Sequence, residues 1–407
     1  MKIAVIGGGA AGLCAAVAAA RKNAYVTVFE KNDKVGKKIL MTGNGKCNLT
    51  NTNLSSDYYY SEDRSFISDV FDRFGLDDTI RFFGGLGLLL TEKRGGVYPN
   101  SEQASAVLDA LRFETEALNV SLKCGCNVKD IVKCKDGFNI IFGDADNAKN
   151  NEFFDRVIIT TGGKAAPKTG SDGSGYVFAS KFKDEVSKLY PALGGVKCEG
   201  NFWKSVSGVR CGASVQILDD TTGEGYSIGE IQLTDYGISG IVVFQISRIV
   251  ASMLDNGKVK ISIDLLPDLD EDTLSNEFFA RALVLNGRTY EQILNGFINK
   301  KLSACILKRL NINPNDVAKF DEKTVNKLIN EIKHFKVVAT GVNPFDQAQT
   351  TAGGIKLKCI SKNFESIHQP GIFYAGEILD VDGICGGYNL QWAWSSGFIA
   401  GEAAAKC

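Results

Sequence analysis

Histidine is nearly missing from this chain of 407 residues, which holds His334 and His368 and no other. The two stand far apart in sequence, so a histidine-based metal site is not expected and no metal ligands are assigned. Proline is sparse, at 7 residues. The eleven cysteines form no Cys-x-x-Cys pair, Cys124 and Cys126 being the nearest neighbours. Their odd number and scatter, in a chain that starts directly on a strand with no cleavable leader, point to free thiols in the reducing cytoplasm. No apolar run reaches the roughly 20 residues of a membrane-spanning helix. An excess of either charge is also lacking: Lys and Arg number 46 against 47 Asp and Glu, a net −1. Such a balance provides no general field for nucleic acid or an acidic membrane.

Glycine, by contrast, is abundant at 44 residues, and its clustering matters more than its number. Lys2-Ile3-Ala4-Val5-Ile6 reads as a buried strand and runs straight into Gly7-Gly8-Gly9-Ala10-Ala11-Gly12. That loop fits G-x-G-x-x-G. An Ala-rich helix from Leu13 to Lys22 follows, then a second strand from Tyr25 to Phe29 that ends on Glu30. Each part has a task in dinucleotide binding. Gly7 allows the sharp turn, Gly9 lets the backbone approach a pyrophosphate, and Gly12 lets the helix lie close to the sheet. Glu30 is placed to accept from a ribose hydroxyl, with Ala11 and Lys31 as neighbouring candidate contacts. This motif alone leaves FAD and NAD both open.

The stretch from Gly36 to Asn51 is rich in Gly, Asn and Thr and is expected to be a long loop, not a helix or a central strand. Such a loop can run along a cofactor or be a solvated surface segment. Together with Arg94-Gly95-Gly96-Val97-Tyr98-Pro99, Thr160-Thr161-Gly162-Gly163, Pro167 to Ser171, Tyr190 to Leu193, Leu233 to Gly240 and Gly371 to Gly397, it resembles the BaiN/YhiN-type flavoproteins. That family includes aminoacetone oxidase and bile-acid reductases. The resemblance spans nearly the whole chain and implies FAD as cofactor, with Lys38, Thr42, Gly43, Asn44, Cys47 and Asn48 beside it. Asp235 and Phe182-Lys183 depart from the family pattern, so no specific substrate is carried over. A strand pair, Ser121–Ile131 and Gly137–Phe142, stands where two-dinucleotide-type flavoproteins typically bring backbone to the adenine, and Val128 is the candidate there. A later apolar strand, Val157 to Thr161, delivers Thr161 and Gly162 in the order of FAD-type folds.

The far end of the chain returns to the same ligand. Ile372 to Ala375 reads as a buried strand ending on Gly376 and Glu377, where flavoproteins usually carry Gly-Asp against the ribityl chain. A glycine-rich loop from Asp380 then passes Gly387 into a helix from Leu390 to Ala405. The backbone amides of Asn389 and Leu390 would face the negative charge that reduction brings to the flavin ring. Between the halves, strand alternation from Gly195 to Leu265 suggests a small barrel or sandwich, and Leu269 to Lys333 reads as helical, capped at Asp270 or Asp272. The expected fold is therefore α/β, with a two-part Rossmann-like FAD-binding domain (1–193 and 345–407). It carries an inserted β-barrel-like unit (194–268 with about 335–344) and a helical unit (269–334).

No second G-x-G-x-x-G carries its own strand and acid, so any NAD(P)H would dock transiently. Two enzyme readings stay open. In one, a reduced nicotinamide feeds the flavin, which reduces a double bond of a small organic substrate. In the other, an amine reduces the flavin and oxygen reoxidises it. A flavin-binding regulatory or RNA-associated protein is the non-enzymatic alternative, and the neutral charge disfavours nucleic acid. Catalytic candidates are Lys46, as a positive charge near the ring, Cys47, as a thiol or a packing residue, and Tyr236, as a proton donor or a structural tyrosine. The oligomeric state is not legible.

Overall fold

The computed structural model describes residues 1–143 and 149–406, which divide into two compact units. One unit comprises Met1–Tyr190 and the chain from Phe345 onward; the other is Pro191–Pro344.

The first unit is built on a parallel sheet of five strands. Its spatial order is Ile372–Tyr374, Arg156–Ile159, Lys2–Ile6, Tyr25–Glu30 and Ser121–Cys124. Ile6 pairs in register with both Phe29 and Ile159, and Ile159 pairs with Tyr374. Strands from both ends of the chain thus lie with their carboxyl ends aligned, the edge at which open α/β sheets bind ligands. Ile3, Val5, Val28, Val157, Ile158 and Ile372 are fully buried, as a parallel sheet covered on both faces requires.

The helix Ala10–Ala20 and the last helix, Tyr388–Ala404, cover this sheet and lie against one another. A Cβ on Gly397 would sit 2.5 Å from the carbonyl oxygen of Ala11, and one on Gly401 would sit 2.3 Å from that of Ala15. The two backbones touch because those side chains are missing. Arg156, on the neighbouring strand, donates to the carbonyls of Ala403 and Ala404 at 3.2 and 3.0 Å, placing a cation at the carboxyl end of the last helix.

Two local expectations in the first unit differ from the structure. Residues 36–51 are not wholly loop: Lys37–Met41 forms one helical turn, launched by Gly36 at φ +72° and anchored by buried Ile39. Five residues are too few for composition to reveal. The expected long strand from Ser121 is broken in two. Ser121–Cys124 joins the main sheet, Gly125 turns the chain at φ +70°, and Asn127–Lys133 pairs antiparallel with Phe138–Gly143.

The second unit holds a closed six-stranded barrel in the order Val196–Cys198, Gly237–Ser239, Tyr226–Leu233, Arg210–Ile217, Val259–Asp264 and Phe335–Val342. Contrary to the strand alternation expected from Gly195 to Leu265, Ile241–Met253 is a helix, whose apolar spacing buries Val242, Val243, Ile246 and Val250 against the barrel. Between its last two strands come helices Glu271–Val284, Tyr290–Leu294, Lys300–Arg309 and Glu322–Lys333. Asp270 caps the first by accepting from the Thr273 amide at 2.7 Å. Val325, Leu328, Ile329 and Ile332 form the buried stripe of the last.

The close helix contact yields a direct check. Gly401→Val should destabilise the first unit by about 1–3 kcal/mol, the usual cost of overfilling a packed interface. Gly84→Val, at a position where a Cβ meets nothing within 4 Å, should cost less. Equal shifts in urea denaturation midpoints for the two variants would contradict the packing described.

Candidate functional site

The glycine loop begins where the first strand ends. Gly7 has φ +106°, and a Cβ there would meet the Thr160 carbonyl oxygen at 2.6 Å; Thr160 Oγ1 in turn donates to the carbonyls of Ile6 and Gly7 at 3.0 and 2.9 Å. A Cβ on Gly12 would lie 1.9 Å from the Gly7 oxygen. Gly9 is different, because a Cβ there would meet nothing within 4 Å. The space in front of it is open, as a phosphate contact needs. Gly9 is also the N-cap of the first helix, with no side-chain cap and no acid in the first turn, which suits an anion at the helix start. Ala11 is buried, and a Cβ on Gly376 would come within 2.8 Å of its methyl. Both residues are therefore kept small by each other.

Glu30 is buried at the end of the second strand. It accepts from the Gly8 amide at 2.9 Å and from Asn32, through its amide at 2.8 Å and Nδ2 at 2.7 Å. Lys31 pairs with Asp172 at 2.7 Å. Val128 is half-buried at a strand irregularity, opposite Phe142.

A second knot joins four segments. Lys38 Nζ lies 2.5 Å from Glu377 Oε2 and donates to the Ala165 carbonyl at 3.1 Å. The other Glu377 oxygen accepts from the Thr351 amide and hydroxyl at 3.1 and 3.0 Å, and Thr351 Oγ1 accepts from the Lys164 and Ala165 amides at 2.7 and 2.9 Å. Glu377 therefore spends both oxygens on the protein, which its extra methylene relative to Asp permits. Thr351 and Asn32 were not legible as site residues. The signal for Thr351 lies in its run Thr350-Thr351-Ala352-Gly353-Gly354, as small and polar as the segment at 36–51.

Thr42 donates from Oγ1 to the Ile39 carbonyl at 2.6 Å, and Gly43 and Asn44 then turn the chain with successive left-handed conformations. Cys47 is fully buried at φ +58°, and burial pushes its thiol up to about 12. Burial of this kind disfavours the thiolate that a nucleophile needs and favours the packing role. Lys46 is exposed and pairs with Glu102. Tyr236 belongs to the second unit, where its phenol oxygen accepts from Asn343 Nδ2 at 3.2 Å.

The last helix starts at Gly387, φ +99°, again with no side-chain cap and no acid in its first turn. A Cβ on Gly387 would lie 2.9 Å from Asn48 Oδ1, so the 36–51 segment runs directly beside this helix start. Asn389 uses its side chain on Gly383, accepting from its amide at 2.9 Å and donating to its carbonyl at 2.7 Å. That leaves the backbone amides of Asn389 and Leu390, without helical partners at a helix start, for a ligand. Gly376 is fixed through its amide, which donates to Ser396 Oγ at 2.9 Å, and the Asp380 amide donates to the Ile355 carbonyl at 2.8 Å.

Several buried oxygens close to these residues have no protein partner: Asn48 Oδ1, Thr161 Oγ1, Ser171 Oγ and the Tyr176 hydroxyl. A Cβ on Gly162, φ +73°, would meet Ser171 Oγ at 2.8 Å. Burial raises the Tyr176 phenol, with the Glu377 and Asp380 carboxylates adding to the shift. Orphaned hydroxyl and amide oxygens, an open space before Gly9 and two uncapped helix starts together fit a large ligand with phosphates and hydroxyls.

A profile of the HI0933-like protein Rossmann domain matches residues 1–403. A 3-dehydro-bile acid delta(4,6)-reductase of Clostridium scindens is 39% identical over 411 aligned residues, covering 100% of this chain and 99% of that protein. A ribosomal RNA dihydrouridine synthase of Haemophilus influenzae is 28% identical, covering 97% and 96%. Among solved structures, the 3-ketosteroid delta1-dehydrogenase of Sterolibacterium denitrificans, in complex with 1,4-androstadiene-3,17-dione, aligns with a TM-score of 0.54 at 12% identity, over 99% of each chain. That is a likeness of fold.

Two outcomes test this geometry. Brief alkylation of the folded protein at pH 8 should leave Cys47 unmodified while Cys124, which is exposed, is labelled; Cys47 labelled at a similar rate would refute its burial. Lys38→Met and Glu377→Gln should each weaken FAD retention by roughly tenfold, about 1.4 kcal/mol, and the double variant should be little worse than either. Fully additive losses in a cofactor titration would show that the pair does not act as one unit.

Proposed function

This chain belongs to the HI0933-like protein family and is an FAD-dependent oxidoreductase; from that premise we propose that it reduces an activated carbon–carbon double bond of a small organic substrate, with NADH or NADPH as donor. The observation that carries this reading is the end-to-end identity of 39% with a protein named for reducing a bile acid at its delta(4,6) positions. The Haemophilus influenzae relative is named for making dihydrouridine, which is likewise uridine with one carbon–carbon double bond hydrogenated. Both names describe the same net change, a hydride and a proton added across a C=C bond. The nicotinamide supplies the hydride and is released oxidised, and solvent or an acidic side chain supplies the proton.

Bound FAD supplies the two-electron chemistry. Gly7, Gly9 and Gly12 would hold its pyrophosphate against the first helix, Glu30 and Lys31 its adenosine ribose, and Val128 its adenine. Lys38, Thr161, Gly162, Glu377 and Asp380 would hold the ribityl region. Thr42, Gly43, Asn44, Asn48 and Gly387 would border the ring. The amides of Asn389 and Leu390 would then stabilise negative charge gained on reduction, by about 0.3–2 kcal/mol for a helix start.

A small-molecule substrate is favoured over ribosomal RNA because the net charge of −1 provides no counterpart to a phosphate backbone. Anaerobic stopped-flow absorbance separates the possibilities. NADH or NADPH should bleach the flavin, and a steroid carrying a conjugated 3-oxo-4,6-diene should restore its colour. Restoration by unmodified ribosomal RNA alone would move the substrate to nucleic acid. Bleaching by a small amine but by neither nicotinamide would overturn the reductase reading.

A further inference from the structure

Three segments of the first unit converge beside the edge strand Ile372–Tyr374. Asp184 follows the helix Tyr176–Lys181, Cys359 ends the turn Leu357–Cys359, and His368 precedes the strand. One carboxylate oxygen of Asp184, Sγ of Cys359 and one ring nitrogen of His368 all lie within 4.8 Å of one another. Asp184 and Cys359 are buried, whereas His368 is open to solvent.

Hydrogen bonds hold the buried members in place. The Asp184 side chain, 0% exposed, accepts from the Tyr374 hydroxyl at 2.7 Å and from Ser366 Oγ at 3.0 and 2.9 Å. His368 Nδ1 lies 2.8 Å from the same carboxylate. The Glu185 amide donates to Cys359 Sγ at 3.3 Å. A carboxylate taken fully out of water is costly unless it is paired, and outer hydrogen bonds of this kind orient the ligands of metal sites.

We propose that Asp184, Cys359 and His368 form a site for one divalent transition-metal ion of the zinc class, with a fourth position open to solvent beside His368. One carboxylate, one thiolate and one imidazole make a donor set unsuited to magnesium or calcium, which take oxygen, and suited to zinc. Zinc bonds of about 2.0–2.3 Å set tetrahedral ligands roughly 3.3–3.8 Å apart. Separations of up to 4.8 Å therefore have to close by at most about an ångström, and the exposed imidazole is free to turn about its side-chain bonds toward an ion. His368 exchanges its bond to Asp184 for one to the ion. Ser366 and Tyr374 continue to hold the carboxylate, and Cys359 loses its proton to solvent as its sulfur binds. The ion would tie three segments together at the strand that leads to Gly376 and Glu377. Sequence spacing gives no hint of it, because the three ligands stand at 184, 359 and 368.

The test uses the FAD-loaded protein, dialysed against a chelator and titrated with zinc chloride alone in competition with a chromophoric chelator. The wild type should take up one zinc that Cys359→Ser and His368→Gln bind at least about 100-fold more weakly, and Tyr374→Phe roughly 10- to 100-fold more weakly. Zinc K-edge absorption should show one sulfur among nitrogen and oxygen ligands. His368 is exposed, so His368→Gln should keep its flavin content and circular dichroism, which separates loss of the site from loss of the fold. Equal zinc affinity in wild type and His368→Gln would place the metal on other thiols and overturn the proposal. So would a wild type that takes up no zinc in the titration, or an absorption edge without sulfur.

Discussion

The whole FAD unit depends on one contact, the face-to-face packing of the first and last helices through residues too small to keep them apart. Gly397 and Gly401 bring the last helix onto the carbonyls of Ala11 and Ala15, and no larger side chain fits either place. That contact places two helix starts, at Gly9 and Gly387, in the same unit, each without a capping side chain or an acid in its first turn. One start follows the first strand of the chain and the other follows the last strand of the sheet. The Trp394 indole extends the connection by donating to the Leu49 carbonyl at 3.0 Å, and the Trp392 indole donates to the Gly376 carbonyl at 3.2 Å. The segment beside Asn48 and the turn at Gly376 are thus both held by the helix that covers them.

Much of this was legible because backbone constraints leave marks in sequence. A strand, G-x-G-x-x-G, a helix and an acid at the second strand end follow from the geometry of phosphate binding, and each falls in the structure where its residue type requires. The carboxyl-terminal return was legible for the same reason, since Gly376, Gly386 and Gly387 all adopt positive φ. Strand alternation left a small barrel and a sandwich both open, because closure depends on pairing between Val196–Cys198 and Phe335–Val342, more than a hundred residues apart. The short helix Lys37–Met41 and the turn at Gly125 are set by single glycines and lay below what periodicity resolves.

What stayed hidden was side-chain pairing across distant segments. Nothing local to Glu377 reveals that Lys38 and Thr351 will occupy its two oxygens, and nothing local to Cys47 reveals that its sulfur is sealed from water. Residue type left a reactive thiol and a packing residue both open, and burial favours packing. The same limit applies to Asp184, whose partners come from positions 366, 368 and 374. A scarcity of histidine excludes sites made of several histidines and leaves open a site that needs just one.

The two-ended construction also sets how folding and cofactor binding are linked. The strand Ile372–Tyr374 pairs with Val157 to Ile159, and the last helix packs on residues 11 and 15, so the cradle exists only after both ends of the chain have met. Contacts this distant in sequence form late and carry a large loop-closure cost. A ligand that binds only the closed form offsets that cost by mass action, about 2.7 kcal/mol when its concentration is 100 times its dissociation constant. The flavin is then part of what keeps the ends together, as well as the centre of the chemistry. A cradle made wholly by the first 30 residues would bind a dinucleotide without reporting on the rest of the fold; this one ties cofactor retention to the integrity of the entire first unit.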